Sequence, residues 1–292
     1  MHAATDSRGV VELLRGFSIE LNPGDLKTLH AAAERLDHGT EVSLAWIPGS
    51  NPMDMIVPAA SLKRSGHIPM PHVGARHLEN EAQLRHFAER LKDAGVDRIL
   101  IIGGDRATPA GPYDSSLAIM QTGVFQRAGI TRFAVGGFPE GNPHIPEKML
   151  NEALQAKVNF GRNEGLQLSI VTQFAFKAQP VIAWARAVRA RGIDVPIRVG
   201  LAGPASFLTL MRYSVRCGVG NSLHVLKENP SFARILTERG PEPIIRELAA
   251  SMADGDCKLI GIAGLHFYVF GGFKKTMDWI DAERSLTDSG HT

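Results

Sequence analysis

Two carboxylates set the chemical question. Glu20 lies in the alternating run FSIEL (17–21), and Asp105 follows the apolar run ILII and two glycines, Gly103 and Gly104. At the ends of buried strands, crowding and desolvation raise the pKa of one carboxyl and leave another ionised, which supplies a proton donor and a fixed negative charge. Gln173, in IVTQF (170–174), adds an amide whose donors and acceptor suit the edge of a planar heterocycle. Trp46, His72, Phe138 and His266 stand at comparable places near the ends of apolar runs. Plainer readings stand beside these. Glu20 fits a solvated strand end, Asp105 an N-cap or a turn after glycines, and His72 and His266 fit packed core histidines. No H-x-H or H-E-x-x-H spacing occurs, so no metal is expected.

The elements that must position these residues form an alternation. FSIEL (17–21), EVSLAWI (41–47), HIPMPHV (67–73), DRILIIGG (97–104), TRFAVGGF (131–138), LQLSIVTQF (166–174), PIRVGLA (196–202) and KLIGIAGLHFYVF (258–270) read as strands. Between them lie helical patterns. Leu26, Leu29, Ala33 and Leu36 share one face, MDMIVPAASLKRSG is helical with Pro58 disturbing it, HLENEAQLRHFAERLKDAG is ended by Gly95, and SSLAIMQTGVFQRAG follows the fourth strand. Several strands are apolar on both faces, as parallel buried strands are. Eight such βα units predict a single (β/α)8 barrel over residues 1–292, with 1–15 as an N-terminal extension and 281–292 as a flexible tail. The competing doubly wound sheet usually carries a glycine-rich first turn, whereas the first strand here runs into LNPGD.

Composition narrows the classes. The chain of 292 residues is 44% hydrophobic and 21% charged with a net charge of +2, so it reads as globular, with no footprint for nucleic acid. No apolar run reaches the length of a membrane span or a secretory core, and Cys217 and Cys257 stand alone, which favours a reducing, cytoplasmic setting and a small-molecule partner. A barrel lyase or aldolase would need a Schiff-base lysine at a strand end, and none is convincingly placed there.

Taken together, SIELNP (18–23), EVSLAWIPG (41–49), IPMPHV (68–73), ILIIGGD (99–105), VGGFPEGNP (135–143), IVTQFAF (170–176) and GLHFYVF (264–270) resemble the methylenetetrahydrofolate reductase family, in order and spacing, from about residue 17 to 280. The resemblance implies a (β/α)8 barrel that binds FAD and reduces 5,10-methylenetetrahydrofolate to 5-methyltetrahydrofolate with NADH or NADPH, in one-carbon metabolism and methionine biosynthesis. It assigns Glu20 as the general acid and Asp105 as the negative charge beside a cationic folate iminium. Gln173 falls on the pterin-binding glutamine, and Tyr213 and Phe207 fall at substrate-binding positions. Trp46, His72, Gly104, Tyr113, Phe138, Asn142, Lys157 and Arg162 are the implied cofactor contacts.

Three departures from the pattern bear on FAD. Ala45 stands where the family commonly has Thr, Gly103 where it has Arg before G-D, and Asn142-Pro143-His144 where it has H-P-E. Each removes a polar contact to the flavin. Two routes therefore stay open, through FAD or by direct hydride transfer from NAD(P)H, in either physiological direction. A folate-binding carrier or methyltransferase partner on the same barrel is the alternative, and a homo-oligomer is compatible with either.

Overall fold

The computed structural model describes residues 9–47, 49–217, 240–253 and 260–288. Strands β1 (Ser18–Leu21), β2 (Glu41–Leu44), β3 (Ile68–Gly74), β4 (Arg98–Ile102), β5 (Arg132–Gly137), β6 (Gln167–Ala175), β7 (Ile197–Ala202) and β8 (Ile262–Tyr268) close a barrel in sequence order, with helices between them. This is the (β/α)8 architecture that the alternation predicts, and closure removes the open doubly wound sheet from consideration.

The chain divides into two compact units. One, called here the carboxylate unit, comprises Ile19–Gly136 and Glu152–Ile170. Its β2 is buried along its whole length, and parallel pairing sets Glu41 against Ile68 and Leu44 against Pro71. Two prolines inside β3 would ordinarily argue against an interior strand. The Ile68 N–H bonds Thr40 on the β2 side, so by alternation the absent N–H groups of Pro69 and Pro71 fall on the other side, where pairing with β4 begins only at His72.

The other, the aromatic unit, comprises the chain up to Ser18, Gly137–Asn151, and the described residues from Val171 on. In it β7 and β8 pair in parallel from Ile197 with Ile262 to Ala202 with Tyr268, over a core that includes Val199, Leu201, Leu265 and Phe267.

Several local expectations are corrected. β2 ends at Leu44, so Ala45 and Trp46 lie beyond it, and β4 ends at Ile102, which leaves both glycines and Asp105 in the following loop. Pro58 does not break its helix. After a short 3-10 turn at Pro52–Met55, the helix Ile56–Arg64 begins two residues before it, so its missing N–H belongs to the first turn, where it has no intrahelical acceptor. The single helix expected after Ser115 is two, Ser116–Gln121 and Val124–Arg127, because Gly123 adopts a φ of 67° between them. Residues 281–288, expected as tail, continue the helix Phe273–Asp288, and Val10, Leu13 and Leu14 of the expected N-terminal extension are buried. Residues 1–8 and 289–292, the first two residues of the expected last strand and part of the helical stretch before it lie outside the described residues.

Candidate functional site

In the carboxylate unit Glu20 sits next to last in β1, with its side chain 21% exposed. Its Oε2 is 3.4 Å from Nε2 of His72 on β3, and that nitrogen is 3.3 Å from the hydroxyl of Ser43 on β2. The two titratable groups are close enough for an ion pair, yet burial drives both the other way. Desolvation raises the Glu20 carboxyl to about 8 and lowers the His72 imidazole to about 4. At neutral pH the contact therefore joins a protonated carboxylic acid to a neutral ring. A carboxyl that keeps its proton near pH 7 is the equipment of a general acid.

Asp105 lies on the loop after β4 with its side chain 55% exposed, and its Oδ1 is 2.7 Å from Nε2 of His77. His77 ends the 3-10 turn Ala75–His77 that follows β3, and its ring packs against Trp46 at a centroid distance of 5.2 Å. Gly104, with φ 94°, approaches so closely that a Cβ there would lie 2.9 Å from His77 Cδ2. The two glycines before Asp105 thus differ in use. Gly104 is required by fold and packing, whereas a side chain at Gly103 would meet open space. Arg76 fastens the loop by donating to the carbonyls of Arg106, Ala107 and Asp114. A pocket of about 470 Å³ opens beside Asp105, lined by Trp46, Ser50, Asn51, Gln83, Arg106 and other residues.

The remaining predicted residues of this unit differ in setting. Trp46 is buried, and its indole N–H has no hydrogen-bond partner. Tyr113 is buried on the loop after β4, and burial, with the Glu81 charge, raises its phenol. Lys157 is buried on the helix Glu147–Asn163, where desolvation lowers its ammonium to about 8, and Arg162 is exposed in the last turn of that helix.

In the aromatic unit Gln173 is half-buried on β6 beside Thr172, whose hydroxyl accepts from the Gly200 N–H and whose carbonyl accepts from the Tyr268 hydroxyl at 2.9 Å. Tyr213 stacks on Phe270 at 4.3 Å and 25°, and Phe270 is the described non-glycine residue with a positive φ, at 47°. Phe174 meets Phe270 and Tyr268 edge-on. Phe207 begins its helix with 37% of its surface exposed, next to Leu208 at 74%. Phe138 is half-buried after β5. Asn142 turns its side-chain oxygen to the His144 N–H, closing its own loop. His266 is fully buried, with Nδ1 2.8 Å from the Ser18 hydroxyl, in keeping with its plainer reading as a core histidine.

His77, Ser43, Arg76 and Phe270 escape the sequence reading. A signal for His77 exists in Gly74 and Gly104, since a Cβ at either would crowd its ring. Among the described residues no group of three His, Cys, Asp or Glu side chains could hold a metal ion, and no helix is long and apolar enough to cross a membrane.

The fold is thus a (β/α)8 barrel that carries a protonated carboxyl near the end of β1 and a histidine-bound carboxylate on the loop after β4. Residues 22–277 match the family model of methylenetetrahydrofolate reductase, and the chain belongs to that family. It is 25% identical over 158 residues to 5,10-methylenetetrahydrofolate reductase of Pectobacterium carotovorum, a match covering 54% of this chain and 51% of that protein. It is 32% identical over 163 residues to methylenetetrahydrofolate reductase 1 of Schizosaccharomyces pombe, covering 53% and 24% respectively. The matches thus span about half the length of the first relative and a quarter of the second. The fold is similar to that of a Clostridium thermocellum protein that binds two copies of 5-methyl-5,6,7,8-tetrahydrofolic acid, with a TM-score of 0.63, 11% identity and coverage of 97% of this chain and 99% of the other.

The FAD implied by the family fits this chain poorly at the three departures. Ala45 offers no side-chain donor, Gly103 leaves open space where the family's arginine would reach, and Asn142 is engaged with His144.

Proposed function

We propose that this protein is an oxidoreductase interconverting 5,10-methylenetetrahydrofolate and 5-methyltetrahydrofolate with NAD(P)H as the electron source. The observation that supports this best is Glu20, a carboxyl held protonated to about pH 8 by burial beside a neutral imidazole. In the reducing direction Glu20 gives its proton to a folate ring nitrogen. The carbon–nitrogen bond of the five-membered ring then opens to a cationic iminium, and a hydride with its electron pair reaches the methylene carbon as the nicotinamide is oxidised. Asp105 supplies negative charge for the iminium from the wall of the adjoining pocket. Gln173 is proposed to hydrogen-bond the pterin and Tyr213 to stack on substrate.

The test is Glu20→Gln, with turnover and folate binding measured side by side. A loss of about 10² or more in turnover, the scale of a missing general acid, with folate affinity kept within about tenfold is the expected result. Full turnover in the variant, or equal loss of both, overturns the assignment. Absorption spectra before and after adding FAD and desalting, read with NADH- and NADPH-dependent turnover, separate the routes. Retained flavin bands identify a flavoprotein, and a colourless active protein identifies direct hydride transfer. A colourless protein that binds folate without turnover identifies the carrier instead.

A further inference from the structure

Asp105 is an exposed carboxylate on a loop, following two glycines, and such a side chain would ordinarily sample several rotamers. Here it does not stand alone. His77 Nε2 is 2.7 Å from its Oδ1, while the His77 side chain is only 10% exposed. The ring has little room to move. It lies against Trp46, and added Cβ atoms at Gly74 and Gly104 would lie 3.1 Å and 2.9 Å from its Cδ2. A Cβ at Gly104 would force the imidazole to shift, and one at Gly74 would crowd it. Trp46 is itself buried and packed edge-on against Phe87. A rigid aromatic stack thus ends in one ring nitrogen directed at one carboxylate oxygen.

We infer that His77 is a positioning residue for Asp105, holding one carboxylate oxygen so that the other is presented to the ligand in the adjoining pocket. The inference rests on the electrostatic role proposed for Asp105. A carboxylate oxygen has only lone pairs to offer, so His77 meets it with its Nε2–H donating, and the hydrogen bond selects that tautomer. With one oxygen held at 2.7 Å, the other oxygen of the carboxylate is left to face the substrate. Electrostatic stabilisation gains from such preorganisation, because a dipole or charge already in place need not reorient when charge develops.

The experiment compares His77→Ala, His77→Gln, Asp105→Asn and the double variant His77→Ala/Asp105→Asn. The Gln side chain places an amide N–H near the position of imidazole Nε2. His77→Ala is expected to lower kcat about tenfold or more with KM within about threefold, since misplacement of a catalytic group acts on the transition state. His77→Gln should recover most of that loss, and His77→Ala should cost little further in the Asp105→Asn background. Imidazole nitrogen spectra of the unaltered protein should show His77 protonated at Nε2, with the signal displaced in Asp105→Asn. The Gln variant and the spectra keep the test sharp even where the Ala variant folds badly.

A His77→Gln variant as damaged as His77→Ala, or an undiminished loss on the Asp105→Asn background, overturns the inference. So does a spectrum unchanged by Asp105→Asn. Impaired Asp105→Asn with normal His77→Ala overturns this inference alone. Asp105→Asn with full turnover overturns the role of Asp105 as well.

Discussion

The two ends of the strands in the carboxylate unit handle charge in opposite ways. At the N-terminal ends the first residues of β2, β4, β5 and β6 form a chain of paired ions and amides. Arg98 is 2.7 Å from Glu41 and 3.0 Å from Asp97, and Arg132 bridges Asp97 at 2.9 Å and Gln167 at 3.0 Å. Burial works against ionisation of Asp97, yet Arg98 and Arg132 outweigh it and hold the carboxyl below its usual range. At the other end Glu20 and His72 are 3.4 Å apart and burial leaves both neutral. The same residue classes at similar distances thus become ion pairs where a guanidinium is at hand, and a proton reservoir where only an imidazole is. In a (β/α)8 barrel the first end serves stability and the second chemistry.

The largest stability effect is expected at the paired end. Arg98→Ala removes the guanidinium from Glu41, whose side chain is 10% exposed, and should cost about 2–4 kcal/mol in urea unfolding while leaving turnover per folded molecule unchanged. A cost below about 1 kcal/mol would mean that the network is ornamental. Next comes Gly104→Ala, which forces a methyl into a φ of 94° and against His77. A loss of about 1–3 kcal/mol together with reduced turnover is expected, and a stable variant of normal activity would contradict the packing argument.

Glu20 and His72 also respond to pH in opposite senses. Between about pH 4 and 6.5 the unfolded chain holds a proton on His72 that the fold does not, so this group makes stability rise with pH. Between 4.5 and about 8 the fold holds a proton on Glu20 that the unfolded chain has lost, so this group makes stability fall as pH rises. The two oppose each other up to about 6.5, and above it only the fall remains. Melting temperatures of Glu20→Gln should therefore decline less from pH 6.5 to 8 than those of the unaltered protein, with the raised Glu140 carboxyl contributing what decline remains near pH 7, and parallel curves would show that Glu20 is ionised in the fold. The smallest effect is Arg132→Ala. With both partners nearly half exposed, it should shift stability by less than about 1 kcal/mol and lose even that in high salt.

Periodicity carries the barrel well, because eight apolar strands each followed by an amphipathic helix leave few ways to bury their faces. It is weaker where backbone geometry decides. Gly123 splits a helix that the apolar pattern runs straight through, and Pro58 looks disruptive until the helix start is known. Glu20 in β1 and Asp105 just after β4 stand out in the sequence because a charge next to a buried run is conspicuous. Their partners are not. His72 is 52 residues from Glu20 and His77 is 28 from Asp105, and His77 reads as the start of the next helix although it belongs to a separate turn. Pairings at such separations are set by strand register, which no local pattern contains.

The loop from Gly103 to Ser115 is drawn in by three backbone carbonyls on one guanidinium, and at Gly111 even a methyl would collide with the Glu79 carbonyl, 2.1 Å away. Its ordering entropy is therefore settled when the chain folds rather than when a ligand arrives. A molecule entering beside Asp105 meets a standing wall, and the pace of its entry and exit is set elsewhere than by the opening of this loop.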